Sequence, residues 1–501
     1  MNLPRLKSAA LGGLSSSRWR AGANGLRTYV LSVCLLGIPV HGHAQRALQL
    51  PDFGDSSSTV LSGTEENKLG EALLREIRAN ADMLDDPEVD GYISRLGYKL
   101  ASASNQPSHS FTFFVVADSL VNAFAGPGGV IGINSGLLLA VDTESELAAV
   151  MAHEIAHVTQ RHIARAFERA DNFSIPALAG LLAAIVLGSQ NSRAGSVAAA
   201  ALVGGQAQAQ LDFIRSNERE ADRVGIETLI NAGFDPRSMA SFFERLQEAG
   251  RYYKVPPEFL STHPVTSTRI ADGRARADRY SYRQYEDSGA FHRVRARLKV
   301  RSLGPKKALV EFANAAKVNS GALVVASRYG SALALLELER YQEAKEILER
   351  LLSTSPDTLP FQAALARALA GQKQYTRAVR IYEQALEVYL NERQMTFGLA
   401  DTWLVSGRPD RAVKVLSGYV RNQPTDALAY RLLARSHERA GSVGQARAAL
   451  AEHYYLNGNL GQAVFQLEKA VLVQDLNYYQ SARIAARLQT LRREREERDA
   501  G

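Results

Sequence analysis

Set against itself at a shift of 34 residues, the second half of this chain repeats one pattern. Tyr341-Gln-Glu-Ala344, Tyr375-Thr-Arg-Ala378, Pro409-Asp-Arg-Ala412 and Val443-Gly-Gln-Ala446 fall in phase. A further match, Leu460-Gly-Gln-Ala463, follows Ala446 after only half a period, as if one helix served two repeats. A repeat of this length holds one pair of short helices, and a small residue at a fixed place lets paired helices approach. Such a pair cannot bury its apolar face alone, so each unit must stack on the next. From residue 301 on, the chain is therefore committed to a helical array.

Pro356 and Pro424 close the second helix of a pair, and Gly371, Gly407, Gly441 and Gly458 meet the glycine position of the pattern in part. Period, small residue and prolines together resemble tetratricopeptide repeats. The closing LRREREERDAG, from Leu491, reads as a solvated helix end or tail, and 488–501 is set apart from the repeats of 301–487.

The charge of the chain lies mainly at its start. The formal net charge is +7, from 59 basic and 52 acidic side chains. Residues 1–44 hold Arg5, Lys7, Arg18, Arg20 and Arg27 and no acid, so removing those five leaves 54 against 52. That balance is no footprint for nucleic acid. A basic stretch, the apolar run from Tyr29 to Val40 and the small residues of Gly42-His43-Ala44 form the layout of a secretory signal, with cleavage expected after Ala44. Its apolar run is about 12 residues, short of the ~20 of a spanning helix. The lone Cys34 lies inside it behind Val33, which argues against lipidation and leaves the exported chain without cysteine. A later apolar run, Pro176 to Gly188, breaks at Ser189 and suits a buried helix, a lid or a surface touching lipid.

Helical periodicity over 64–104, a β-rich FTFFVVAD from Phe111 and a second extended stretch from Asn122 precede Thr143-Glu144-Ser145-Glu146. This last reads as a capping box, with Thr143 as cap and Glu146 reaching back. Two turns into the helix it starts stands HEIAH, residues 153–157. Positions i and i+4 share a helix face, so His153 and His157 can hold one metal ion. Glu154, beside the metal rather than on it, can take a proton from water and return it to a leaving amine. Residues 195–210 are rich in Ala and Gly and read as mobile or loosely packed, with a helix expected from about Leu211. On that helix Glu218 and Asp222 again lie i, i+4, with Glu220 turned away. Glu218 supplies a third ligand, and Asp222 can orient a ligand histidine through its ring N–H.

HEIAH, the following E-x-x-A-D helix, NAFAGPGG and GLL resemble the M48 family of zinc metallopeptidases. The resemblance implies a zincin-like domain with a small β-sheet over 45–300, one Zn2+ per chain on His153, His157 and Glu218, and Glu154 as the base. Ala156 stands where that family commonly has Gly, a change small enough to spare function. Gly126-Pro127-Gly128-Gly129 permits a tight turn, and Val130 to Ile133 resembles the family's strand beside the active site, where an edge strand can bind substrate backbone. An ordinary hairpin in the core fits the same residues. In STHPVTSTRI, the resemblance gives His263 as a candidate switch ligand and Arg269 as a partner of substrate or of Asp222. His162 reads as a polar surface or supporting residue, not a ligand.

The fold expected is thus mainly α, a zincin-like domain followed by a tetratricopeptide-like solenoid. The function implied is a periplasmic zinc endopeptidase acting on misfolded or stalled outer-membrane proteins, with repeats that recruit substrate or assembly machinery and with peripheral membrane contact. The alternative is a chaperone or assembly adaptor working through its repeats while the protease site is held closed.

Overall fold

The computed structural model describes residues 62–107, 109–167, 182, 207–252, 259–356 and 358–500. The signal expected over 1–44, the apolar run from Pro176 save Leu182, and residues 195–206 lie outside these. Among the described residues, no helix is long and apolar enough to cross a membrane.

Helix α1 (Gly63–Asn80) starts on a reciprocal cap: Glu65 N–H donates to Ser62 Oγ at 3.3 Å, and Ser62 N–H donates to Glu65 Oε2 at 2.9 Å. Leu69, Leu73 and Ile77, four residues apart, form its buried stripe. Helix α2 (Pro87–Ala103) has Pro at its first position, and the Asp86 carboxylate accepts from the Glu88 and Val89 amides at 3.1 and 3.3 Å.

Three strands follow: β1 (Thr112–Val116), β2 (Ala123–Gly126) and β3 (Val130–Asn134). The sheet order is β1-β3-β2, with β1 parallel and β2 antiparallel to β3. The turn between β2 and β3 places Gly128 and Gly129 at φ 66° and 74°, the left-handed region where a side chain is strained. The extended segment Val130–Ile133 is therefore the central strand and not the edge. β1 and β2 are the edge strands, and β2 packs against the HEIAH helix.

After α3 (Ser135–Ala140), that helix is α4 (Glu144–Thr159). Thr143 caps it as expected, its Oγ1 accepting from Glu146 N–H at 3.2 Å. The second half of the box differs. Glu146 accepts from the amide of Asp142, one residue before the cap, at 2.7 Å, and pairs with Arg245. Next come α5 (His162–Phe167), α6 (Ala207–Ala232), α7 (Ser238–Tyr252), α8 (Phe259–Thr262), α9 (Ser267–Ala277) and α10 (Gly289–Leu303). Helix α6 begins four residues earlier than the sequence suggested, inside the Ala/Gly-rich stretch. Helix α10 serves two cores: Phe291, Val294 and Leu298 lie in the peptidase core, where α10 meets α2 and α3, while Ala296 and Val300 pack with the repeats.

The array runs through α11 (Pro305–Val318), α12 (Gly321–Glu337), α13 (Tyr341–Thr354), α14 (Leu359–Gly371), α15 (Tyr375–Val388) and α16 (Arg393–Val405). It continues with α17 (Pro409–Asn422), α18 (Ala427–Arg439), α19 (Val443–Leu456), α20 (Leu460–Ala470) and α21 (Tyr478–Ala500). Ala344, Ala378, Ala412, Ala446 and Ala463 are all buried, each at the fourth position of its helix. Ala446 and Ala463 sit on consecutive helices, α19 and α20, and α19 packs on both α18 and α20, so it closes one pair and opens the next. The 34-residue period also appears in the backbone: Glu339, Lys373, Gly407 and Gly441 take φ of 59°, 62°, 75° and 77° just past the ends of α12, α14, α16 and α18, every second helix. Within the charged closing segment, Leu488 and Leu491 are buried, so it begins on a packed helix and only its later turns are solvated.

The array also touches α1 and α2. Tyr329 Oη donates to Glu88 Oε2 at 2.6 Å, Arg393 Nη1 to Asp90 Oδ2 at 2.7 Å, and Arg78 Nη1 to the Leu456 carbonyl at 3.3 Å. Between these contacts and the back of β1 lies a cavity of about 650 Å³.

Candidate active site

Helix α4 is buried almost all round, and its small residues let α6 come close. Ala156 packs on Ala221 and Val224. A Cβ placed on Gly225 would lie 3.2 Å from the His153 amide nitrogen and 3.4 Å from the Ala152 carbonyl carbon, so glycine is needed at this crossing. The close crossing brings the His153/His157 face of α4 against the Glu218/Asp222 face of α6.

His157 Nε2 lies 3.0 Å from His153 Nε2. Glu218 bridges the pair, with Oε2 3.4 Å from His153 Nε2 and Oε1 3.3 Å from His157 Nε2. Donors that share a divalent ion at bond lengths of ~2.0–2.2 Å in a tetrahedron stand ~3.4 Å apart. These donors have that spacing, and two imidazoles with one carboxylate suit a borderline-soft cation. The loop between α8 and α9 brings His263 to the same point: its Nδ1 is 3.3 Å from His153 Nε2 and 3.0 Å from Glu218 Oε1. One donor atom from each of His153, His157, Glu218 and His263 falls within 4.8 Å of every other.

Asp222 stands behind His153, with Oδ1 3.1 Å from Nδ1. Arg269 then grips Asp222 through Nε and Nη2 at 2.7 and 2.8 Å. Its Nη1 lies 2.8 Å from Glu218 Oε2 and donates to the Pro264 carbonyl at 2.9 Å, fixing the His263 loop to α6. The His263 ring stacks on Phe259 at 4.7 Å between centroids.

Glu154 is 1% exposed, with its Oε1 3.4 Å from His263 Nε2. Burial raises its pKa, against the pull of His263 and His153. Such a carboxylate holds a proton more readily than a solvated one, as proton transfer near neutrality requires. Burial also acts to raise Glu218 and Asp222, but it is outweighed. His263, His153 and His157 hold Glu218 well below the usual range, and Arg269 and His153 lower Asp222. For His153, burial is overcome by Asp222 and Glu218, which push its pKa up to about 9. His157 is pushed down to about 3 by burial, against the hydrogen bond of Glu218.

A cleft of about 390 Å³ opens beside Glu218 and Arg269, walled by Ile214, Arg219, Pro264 and Thr266. His162, read from the sequence as a surface or supporting residue, meets the site, together with Glu220 and Arg165, which the sequence did not single out for it. His162 is 4% exposed and touches His157, and behind it lie Glu220 and Arg165. The only prior signal was a histidine five residues past His157.

Comparison with known proteins matches residues 87–277 to the model of peptidase family M48. Tetratricopeptide repeat models match 326–358, 363–427 and 404–459. The chain is 34% identical over 464 residues to the beta-barrel assembly-enhancing protease of Escherichia coli (strain K12), covering 92% of this chain and 95% of that one. It is 35% identical to the putative beta-barrel assembly-enhancing protease of Vibrio cholerae serotype O1, over 93% and 97% of the two chains. A shorter stretch, 36% of this chain and 50% of the relative, is 33% identical to the mitochondrial metalloendopeptidase OMA1 of Schizosaccharomyces pombe.

Proposed function

Since this chain belongs to peptidase family M48, as a metalloendopeptidase with tetratricopeptide repeats behind the peptidase part, we propose that it is a periplasmic zinc endopeptidase that hydrolyses misfolded or stalled outer-membrane proteins and supports their assembly. The observation that carries this reading is the convergence of His153, His157 and Glu218 donors at 3.0 to 3.4 Å, with the buried Glu154 alongside. The division that goes with it is a signal over 1–44, the peptidase over 45–300, repeats over 301–487 and a charged end over 488–501. The relatives' name and the signal-like start support the compartment and the substrate class.

His153, His157 and Glu218 would hold one zinc ion. When bound, zinc supplies Lewis acidity, polarising a peptide carbonyl and acidifying water. Glu154 takes a proton from the attacking water on a carboxylate oxygen and passes it to the amide nitrogen that leaves as an amine, so the peptide bond breaks with one water consumed. Asp222 keeps His153 in one ring orientation, and Arg269 keeps Asp222 and Glu218 in place. An extended substrate would add as a further strand beside β2, an edge strand packed on α4.

A second reading has one observation in its favour. His263 Nδ1 stands among the ligand donors, at the place water or substrate would need. With His263 as a fourth donor the site is closed, and the chain acts through its repeats as a chaperone or adaptor until the loop withdraws.

The test uses the full mature chain. Wild type should carry about one zinc and cleave a misassembled outer-membrane barrel protein or itself. Glu154→Gln should keep the metal and lose roughly 10²- to 10⁴-fold in rate. Undiminished cleavage by Glu154→Gln would end this mechanism; a His263→Ala variant that cleaves no faster than wild type would end the closed-site reading.

A further inference from the structure

The two histidines of α4 are supported differently. His153 Nδ1 faces the Asp222 carboxylate, which Arg269 grips from behind. At His157 the corresponding nitrogen meets a second imidazole: His162 Nδ1 lies 2.9 Å from His157 Nδ1, with the rings at 78°. The other nitrogen of His162, Nε2, is 3.1 Å from Glu220 Oε2, and the same oxygen accepts from Arg165 Nη1 at 3.2 Å.

Local backbone puts His162 there. Helix α4 ends with the Gln160 amide donating to the Ala156 carbonyl and the Arg161 amide to that of Val158, each at 2.9 Å. Arg161 then takes φ 53°, and this left-handed residue turns the chain so that α5 starts with His162 folded back on His157. Glu220 lies on α6 between Glu218 and Asp222 in sequence, and its carboxylate meets His162 and Arg165 of α5.

Hydrogen-bond chemistry allows this chain to be read in one direction. An ionised carboxylate only accepts, so His162 must carry its hydrogen on Nε2 and donate it to Glu220. A neutral imidazole protonated at Nε2 has a lone pair on Nδ1, so His157 must be the donor there, through Nδ1–H. His157 Nε2 is then left with its lone pair, aimed at Glu218 and His153. The reverse assignment sets the lone pair of His162 Nε2 against a carboxylate oxygen and puts a hydrogen on the nitrogen that must bind metal. Arg165 balances the charge of Glu220, as Arg269 balances that of Asp222.

We infer that His162, backed by Glu220 and Arg165, is a positioning residue that fixes His157 in the Nδ1–H tautomer with Nε2 free to bind the ion. This rests on His157 being a zinc ligand. Helix α6 thereby supports both ligand histidines, His153 directly through Asp222 and His157 through an interposed imidazole.

The experiment measures the zinc dissociation constant of the full mature chain by competition with a chromophoric chelator. His162→Ala should weaken binding by about tenfold to a hundredfold, the usual loss when a ligand's hydrogen-bond partner is removed. His162→Asn places an amide oxygen near the position of Nδ1 and should recover most of that loss. Glu220→Ala, at a side chain 32% exposed and so no threat to folding, should weaken binding severalfold. Nitrogen NMR of the zinc-loaded wild type should show the His157 hydrogen on Nδ1. An unchanged constant in His162→Ala overturns the inference, as does an equal loss in His162→Asn, which would mean that only packing matters. An unchanged Glu220→Ala removes the carboxylate from the chain of bonds. A wild-type chain that binds no zinc overturns the zinc reading itself, and that result precedes any variant.

Discussion

Removing the charge of Arg269 should destabilise the peptidase part more than any other single change at the site. Its guanidinium makes two bonds to Asp222, lies against Glu218, donates to the Pro264 carbonyl and covers the face of Phe243 at 4.8 Å. Arg269 and Glu218 are each 4% exposed and Asp222 is 6% exposed, so solvent does little to screen them. Arg269→Met keeps much of the side-chain bulk and takes from buried Asp222 the guanidinium that makes two bonds to it. Breaking a buried pair from one side costs about 3–5 kcal/mol. For a part of this size each kcal/mol shifts the melting temperature by roughly 2–4 °C, so a fall of roughly 6–20 °C is expected in its transition. Scanning calorimetry of the full chain, with a chelator present and again with zinc, reads that transition separately from any other.

The pH arm has a definite sign. In the wild type Asp222 and Glu218 are held below the ordinary carboxylate range. Their contribution is therefore present above the unfolded value of about 4 and is lost as the pH falls through the folded ones. In Arg269→Met Asp222 keeps only His153 against burial, so its folded value rises and the stability it contributes above that value shrinks, while Glu218 keeps its histidines. The gap between the two proteins should narrow from pH 7.5 to about pH 5. A gap below about 2 °C at neutral pH, or one that widens on acidification, would refute the assignment of Arg269 as the cation of this cluster.

Lys373→Gly should stabilise the array by roughly 0.5–1 kcal/mol, because an exposed lysine at φ 62° gives up a strained backbone position; chemical denaturation monitored by circular dichroism reads the shift. Gly225→Ala should cost about 1–3 kcal/mol, since its Cβ would meet the His153 amide nitrogen at 3.2 Å and Met239 Cε at 3.0 Å; zinc affinity should fall with stability as α6 backs away from α4. Tyr329→Phe removes the hydroxyl that donates to buried Glu88 at 2.6 Å and should cost about 1.5–3 kcal/mol; hydrogen exchange should show the loss at the start of α2 and in α12 together.

The repeats were legible because their strongest requirement is a small buried residue, and Ala344, Ala378, Ala412, Ala446 and Ala463 write it directly into the sequence. The glycine half of the pattern was faint for a physical reason. The fold needs a left-handed residue every 34 positions, yet Glu339 and Lys373 supply two of them at a modest backbone cost. The edge strand was misplaced. Val130 to Asn134 is buried throughout, but so is most of β1, which lies at an edge, so apolarity alone does not tell a central strand from an edge strand. Leu488 and Leu491 were lost among charges, though their spacing of three is that of one helix face.

At the site, what could be read was what lies on one helix. His153 with His157, and Glu218 with Asp222, follow from the i, i+4 rule alone, and the structure turns both faces to one point. Arg269 comes from a third helix, so only its place in the STHPVTSTRI loop drew notice. Glu220 escaped, and His162 was read only as a surface or supporting residue with no partner named, because helical periodicity was carried past the place where it ends. Across the left-handed turn at Arg161, five residues from His157 no longer means a rotation along the same helix, and His162 returns to the ligand it follows. Glu220 does turn away from the metal face of α6. It still reaches the metal's surroundings, because α5 lies against that other side and carries an imidazole between them. A carboxylate two residues from a ligand is thus solvent-facing only where no second element follows the helix closely; here α5 follows, and α6 can serve both histidines of α4.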